Sequence, residues 1–358
     1  MKAGVIGTSY GKVHIIGLQA AGVTVVAICQ RDQQAAQGVA RHYGIPLVFS
    51  DWEALVASPE LDLITIATPP HLHLPIAKRA LSLGKHVICE KPLARSLEEA
   101  RLMARLAQHA PSRAMTGFNW RFTAGMQELK KLVDSGFLGR LLHATGAWYG
   151  QRYAEATAPL SWRNEQDLAG IGALGDVGVH IIDAFRWLGG EFRRVVALSG
   201  IAYPRREIAP GKPVNTDDYS AFLAVLESGA HVTITLSRVA RATNLHRLQL
   251  FGTEGALAYE FHRDEPGWAT GRLLAVRGQG LWEPVPLAAP LPDPAPSDFS
   301  ERIGRATFAP LVRILLDGAE NEKKAGVSPS FDDGLRAQAV AEAVLQSAGE
   351  QAWVPVSI

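Results

Sequence analysis

Short runs of β-branched and aliphatic residues recur through the first third of the chain, each followed by a stretch with helical spacing. Lys2–Gly7, Val23–Cys29, Pro46–Phe49, Leu63–Ala67, His86–Cys89 and Met115–Gly117 read as strands. Several of these runs are apolar throughout rather than alternating, which predicts parallel strands covered on both faces. Between them, His14–Ala20, Gln33–Tyr43 and His73–Leu83 have helical spacing. Ser50-Asp51-Trp52-Glu53 and Ser96-Leu97-Glu98-Glu99 are capping boxes that open two more helices, the second running to about Ala110. Strand and helix alternate without interruption, so the first part is α/β, a doubly wound parallel sheet of the Rossmann type.

The pattern then changes. Ala124–Val133 is helical, Leu141–Tyr149 begins a strand-rich region, and longer strands follow from Val195 onward. Ala221–Leu226, His231–Ser237, Arg247–Phe251 and Leu257–Phe261 are separated by Ser228-Gly229 and Thr253-Glu254-Gly255 turn signals. This predicts an α+β domain with an open, mainly antiparallel sheet and helices on one face. Val232, Ile234 and Leu236 share one parity and are assigned to the other, exposed face, which suits association with a second copy. Glu283–Ser297 holds six prolines and reads as a surface loop. Phe299–Leu316 is helical with a break at Pro310, and Ser330 caps a final helix over Phe331–Ala348. The predicted domains are residues 1–118 and 119–358.

Composition narrows the partners. A chain of 358 residues has length for two cores. Formal net charge is +1 with no basic block, which argues against nucleic acid as a partner. The two cysteines, Cys29 and Cys89, fall near the ends of predicted buried strands, so no disulfide framework is implied and a reducing, cytoplasmic compartment fits. No local spacing supplies a metal site. No signal peptide precedes the first strand, and no apolar run reaches about 18 residues, so neither export nor a membrane span is expected.

Candidate chemistry concentrates where strands end. Gly7-Thr8-Ser9-Tyr10-Gly11 joins the first strand to a helix, the context in which a glycine fingerprint holds a pyrophosphate on helix N–H groups. The fingerprint is imperfect: Ser9 stands at the second glycine, Lys12 at the third, and Gly11 comes one place early. The second strand ends in Gln30-Arg31-Asp32, where an NAD-binding domain usually presents an acid to the ribose. Gln30 and Arg31 would accept a 2′-phosphate, which favours NADP slightly, while Asp32 keeps NAD open. Thr68-Pro69-Pro70-His71-Leu72-His73 follows a central strand, so His71 and His73 are candidates to meet cofactor ribose or nicotinamide. His86-Val87-Ile88-Cys89 runs straight into Glu90-Lys91-Pro92. A charged pair with a rigid turn behind it then sits at the carboxyl edge where open sheets hold ligands, unless it is a plain surface ion pair. Asp176 and His180, at i and i+4, share one helical face and can address one substrate.

These segments resemble the Gfo/Idh/MocA family of NAD(P)-dependent sugar and polyol oxidoreductases. The match rests on the Gly7 turn, Ala67–His73, Gly84–Pro92 and Gly172–His180, with Asp-x-x-x-His about 85 residues after Glu-Lys-Pro. Gly117–Phe122 resembles the family's domain junction and Phe331–Arg336 its last helix. The resemblance implies hydride transfer between NAD or NADP and a secondary alcohol or ketone of a sugar, cyclitol or sugar derivative. It implies that Gly7, Thr8, Ser9, Tyr10, Gln30, Arg31, Thr68, His71, His73, Glu90, Lys91, Asn119, Trp162 and Arg163 contact the cofactor. Lys91, Arg121, Asp176 and His180 would contact substrate, with Lys91, Asp176 and His180 catalytic. It also implies a cis Lys91-Pro92 bond and a homodimer or homotetramer. Two other activities are open on this fold, an NAD-dependent glycoside hydrolase and a non-catalytic cofactor-sensing regulator; the Lys91 with Asp176-x-x-x-His180 set argues against the latter.

Overall fold

A computed structural model describes residues 1–263, 265, 270–288, 298–318 and 328–358. The chain forms two compact units, residues 1–122 with 291–335, and residues 123–290 with 336–358. The division therefore differs from a single cut after residue 118, because the chain returns to the first unit late.

In the first unit, six parallel strands run in the order β3-β2-β1-β4-β5-β6. They are β1 (Lys2–Ile6), β2 (Thr24–Cys29), β3 (Leu47–Phe49), β4 (Leu63–Ile66), β5 (His86–Cys89) and β6 (Ala114–Thr116). This is the dinucleotide-binding strand order, with its switch point between β1 and β4. Helices α1 (Gly11–Ala20), α2 (Gln33–Tyr43), α3 (Trp52–Ala57), α4 (His73–Ser82) and α5 (Leu97–His109) connect the strands. The continuous apolar runs predicted as central strands are buried in full, β4 and the last three residues of β5 included. The caps differ in detail. Asp51, not Ser50, caps α3 by accepting from the Glu53 and Ala54 amides. Ser96 caps α5 as predicted, but Glu99 accepts from the Arg95 amide.

The late segment explains the division. Helix α9 (Phe299–Ile303), a π-helical turn at Gly304–Phe308 and α10 (Ala309–Asp317) lie against α1. A Cβ on Gly17 would stand 2.7 Å from a Phe308 ring carbon, and one on Gly304 would stand 2.7 Å from Ile16 Cγ2, so each glycine makes room for a side chain of the facing segment. The break predicted at Pro310 is thus the wider π turn just before it, which suits a residue with no N–H. Residues 289–297, most of the proline-rich stretch, lie outside the described residues; its start, Glu283–Pro284, is a short strand.

The second unit is a nine-stranded sheet, ordered β16-β15-β14-β13-β7-β12-β11-β8-β17, antiparallel except where β7 meets β12. Its strands are β7 (Leu141–Tyr149), β8 (Phe192–Gly200), β11 (Tyr219–Leu226), β12 (His231–Ser237), β13 (Leu245–Gly252), β14 (Gly255–His262), β15 (Arg272–Arg277), β16 (Glu283–Pro284) and β17 (Val354–Pro355); β9 (Arg205–Arg206) and β10 (Ala209–Pro213) form a separate hairpin. Helices α6 (Ala124–Asp134), α7 (Gln166–Ala169) and α8 (Val179–Gly189) belong here, as does most of α11 (Phe331–Glu350). One expectation is corrected. Val232, Ile234 and Leu236 are buried at 1, 0 and 2% exposure, on the face that α8 and the turn before it cover. The exposed parity instead carries Leu198 and Leu223, at 71 and 49%. Period-two alternation shows that a strand has two faces but not which one a helix covers. The segment Gln166–Gly189 is apolar and long enough to cross a membrane by composition, yet 78% of its most apolar window is buried inside the protein.

Candidate functional site

The first unit holds one half of the candidate set. Gly7 has φ +89°, and a Cβ there would lie 2.5 Å from the Ala67 carbonyl oxygen, so only glycine lets β1 turn beside β4. Gly11 takes over the packing role of the displaced third glycine: an added Cβ would lie 3.1 Å from Val5 Cγ1. Helix α1 starts at Gly11 with Tyr10 in the cap position, no side-chain cap and no acid in its first turn. Its leading N–H groups and dipole therefore favour an anionic group, and Thr8, Ser9 and Tyr10 form the turn that reaches them. At the end of β2, Gln30 is half-buried and Arg31 exposed, while the Asp32 carboxylate caps α2 by accepting from the Ala35 amide at 3.0 Å.

At the end of β5 the chain makes the expected charged turn, with a cis Lys91-Pro92 bond. Glu90 is 7% exposed. One of its oxygens faces His14 Nε2 at 3.1 Å, and the other accepts from the Lys91 amide at 3.3 Å. Gly117 lies so close that a Cβ would be 2.7 Å from Glu90 Oε1. Lys91 itself is half-buried. Burial, reinforced by the neighbouring Glu90 charge, pushes the Cys89 thiol well up, and burial with the Asp51 charge pushes Cys29 up to about 11; both are free thiols and stay protonated.

Three residues expected at the cofactor or substrate are buried with protein partners. His73 is fully buried and binds backbone only: Nδ1 lies 3.1 and 3.2 Å from the Pro92 and Leu93 carbonyls and Nε2 2.9 Å from the Thr68 carbonyl. Burial lowers its pKa, and a neutral ring can donate to the carbonyls on one side only. Asn119 is buried with its amide donating to Thr307 at 2.7 Å. Arg121 is buried in an ion pair with Asp333 at 3.0 Å. Each is held by the late segment or by backbone rather than turned outward. Thr68 and His71 remain partly exposed at the carboxyl end of β4.

The second unit holds the other half. Arg163 stacks on Trp162 at 4.2 Å and pairs with Asp176 at 3.3 Å. Asp176 lies in a π-helical turn, Leu174–Gly178, that leads into α8, and His180 is the second residue of α8. The extra residue in that turn alters the angle between Asp176 and His180 from that of a plain α-helix; such turns recur at functional sites. Asp217 fixes the start of the turn by accepting from the Gly172 and Leu174 amides at 2.7 and 2.9 Å. Arg238 bonds Asp218 at 2.9 Å, the Arg163 carbonyl at 3.1 Å and Thr216 at 2.9 Å. The Arg163–Asp176 pair thus rests on a buried polar frame.

Behind His180 runs an aromatic stack. The His180 ring lies 5.5 Å from Trp148, and Trp148 lies 4.5 Å from His246. His246 also meets the edges of Tyr259 and Phe261. His14, Asp217, Arg238, Trp148 and His246 had no signal in the sequence, since each finds its partners at long separation. Among the described residues, no group of three or more His, Cys, Asp or Glu could hold a metal ion.

Both parts of the chain match known proteins. Residues 1–118 match the family described as oxidoreductase family, NAD-binding Rossmann fold, and residues 126–258 match the GFO/IDH/MocA C-terminal domain. Levoglucosan dehydrogenase of Pseudarthrobacter phenanthrenivorans is 31% identical over 92% of this chain and 88% of its own. Inositol 2-dehydrogenase of Rhizobium meliloti is 27% identical over 97% of this chain and 96% of its own. A solved levoglucosan dehydrogenase in complex with NADH and levoglucosan superposes with a TM-score of 0.87 at 28% identity, covering 100% of both chains.

Burial pushes the His246 pKa down to about 3, well below the ordinary value of 6.5. The folded protein therefore holds a neutral ring that the unfolded chain protonates below about pH 6.5. Stability is lost as pH falls from there toward 3, by about 2 kcal/mol at pH 5 from this group alone. Replacing His246 with Phe should reduce the difference in unfolding free energy between pH 7 and pH 5 by that amount, as read by urea unfolding; an unchanged difference would contradict a neutral buried ring.

By its two matched domains and its full-length relatives, the chain belongs to the Gfo/Idh/MocA family of oxidoreductases.

Proposed function

We propose that the protein transfers a hydride between a nicotinamide dinucleotide and a secondary alcohol or ketone of a sugar, cyclitol or sugar derivative, in the cytoplasm. The observation that carries this reading is the Glu90-Lys91-Pro92 turn, anchored at the carboxyl end of β5 in a sheet with dinucleotide-binding order. The relatives named levoglucosan dehydrogenase and inositol 2-dehydrogenase support the substrate class.

The fit to a dinucleotide rests on the Gly7 turn, which no larger residue could make, and on the uncapped start of α1. Gly7, Thr8, Ser9 and Tyr10 would hold the phosphates, Thr68 and His71 would border the sugar and nicotinamide, and Trp162 with Arg163 would serve the nicotinamide side. When bound, the dinucleotide supplies the hydride acceptor or donor. Lys91 hydrogen-bonds the reacting oxygen and favours its anionic form. His180 takes the hydroxyl proton in oxidation and returns it in reduction. Asp176, oriented by Arg163, accepts from a neighbouring hydroxyl. Replacing Lys91 or His180 with Ala should each lower turnover by about 10²-fold or more on any sugar or polyol found active in a screen read at the nicotinamide absorbance. Unchanged turnover in either variant would remove that residue from the mechanism.

NADH-bound relatives favour NAD. Gln30 and Arg31 at the end of β2, with the Asp32 carboxylate committed to a helix cap, favour a 2′-phosphate. We read the balance as slightly toward NADP. Titration against intrinsic fluorescence should show NADPH binding at least as tightly as NADH; tighter NADH binding would overturn this.

The apolar residues Leu198 and Leu223, exposed on neighbouring strands of the open sheet face, suit a homodimer or homotetramer. Light scattering at micromolar concentration should return a multiple of the chain mass, and a monomer would exclude it.

A further inference from the structure

Lys91 needs a fixed backbone if its ammonium is to meet one oxygen atom. Its amide donates to the Glu90 carboxylate, so whatever holds Glu90 holds Lys91. The holder comes from an unrelated part of the chain. His14 lies on the second turn of α1, 76 positions before Glu90, and is 0% exposed. Its Nε2 is 3.1 Å from Glu90 Oε1, while its Nδ1 is buried with no hydrogen-bond partner among the described residues. The ring stacks on Phe308 at 4.1 Å and meets the edge of Tyr10.

These facts fix the tautomer. A carboxylate only accepts, so Nε2 carries the proton and donates. The buried Nδ1 is then an unmet lone pair, which costs less than a buried N–H left unmet. One Glu90 oxygen is spent on His14 and the other on the Lys91 amide, and Gly117 closes the space beside it. The carboxylate has no freedom to turn. Phe308, from the segment that returns late to the first unit, sets the plane of the His14 ring.

We propose that His14 is a positioning residue for the reaction: through Glu90 it fixes the backbone of Lys91, and it links the start of the phosphate-binding helix to the reacting end of β5. This rests on the function proposed above. His14 touches neither substrate nor reacting atoms; it acts only through Glu90.

Three variants and one pair test this. His14→Phe keeps a ring on Phe308 but cannot donate. His14→Gln keeps a donor and loses the ring. Glu90→Gln removes the charge that His14 holds. With the best sugar or polyol substrate, His14→Phe should lower kcat about tenfold with KM within about twofold, the scale of loss from slight misplacement. His14→Gln should regain most of that loss. In a Glu90→Gln background, His14→Phe should add little, because the partner is already gone. Equal losses in both backgrounds, or a folded His14→Gln as slow as His14→Phe, would overturn the proposal. A second readout is independent of turnover: the rate at which acetic anhydride acetylates Lys91, followed by mass spectrometry against the other lysines. It should shift in His14→Phe and in Glu90→Gln and return in His14→Gln; an unchanged rate in His14→Phe would also overturn the proposal. If the wild type turns over no sugar or polyol, the proposed function falls, while the acetylation rates still decide the role of His14.

Discussion

A carboxylate buried at the end of a parallel strand is the constraint from which most of the first unit follows. Taking the Glu90 charge out of water costs several kcal/mol unless donors replace the solvent. Among the described residues two face it, the His14 ring and the Lys91 amide. The first requires a histidine on α1 with its ring held flat, and Phe308 supplies the flat surface. Phe308 reaches it because the chain returns to the first unit and packs on α1 at Gly17 and Gly304, where the Phe308 and Ile16 side chains leave no room for a Cβ. A late segment, a π turn and two bare helix positions therefore serve one negative charge. His73 lies buried between the loop after β4 and the turn after β5.

The second unit solves a parallel problem with different means. Of its candidate groups, Asp176 sits on a turn wider than an α-helix, which needs outside support to hold its shape, and His180 follows on α8. Asp217 ties down the amides at its start, and Arg238 with Asp218 and Thr216 holds the backbone of Arg163, whose guanidinium meets Asp176. Burial raises the Asp217 pKa while the two amides oppose the rise, so the cap is worth most when that carboxylate is charged. His180 is backed by Trp148, a rigid plane with its own support in His246 and Phe261. Polar frame and aromatic stack both limit motion where a proton acceptor is wanted.

The sequence made some of this plain and hid the rest, for physical reasons. Buried parallel strands are apolar without interruption, so β4 and β5 stood out, and with them the Glu90-Lys91-Pro92 turn. Gly7 stood out because a positive φ leaves few other choices. His14 did not, because a histidine on an apolar helix looks the same whether its partner is solvent, backbone or a carboxylate 76 positions away. The backbone partners of His73 were hidden for the same reason: proximity to a ligand edge says nothing about which way a ring points. The parity of β12 was assigned to the wrong face because alternation carries no sign. The π turns at 174–178 and 304–308 were invisible, since one added residue shifts the helical period by less than the noise in a short apolar pattern.

The account stands on a hydride passing between a carbinol carbon and a nicotinamide held beside Lys91. The direct measurement uses an active sugar or polyol deuterated at the carbon that is oxidised, with the oxidised dinucleotide, and locates the label in the products by NMR and mass spectrometry. Direct hydride transfer leaves one deuterium at C4 of the reduced nicotinamide and none lost to water. A label that stays in the sugar or washes into solvent, or a substrate consumed with no reduced nicotinamide formed, would contradict it.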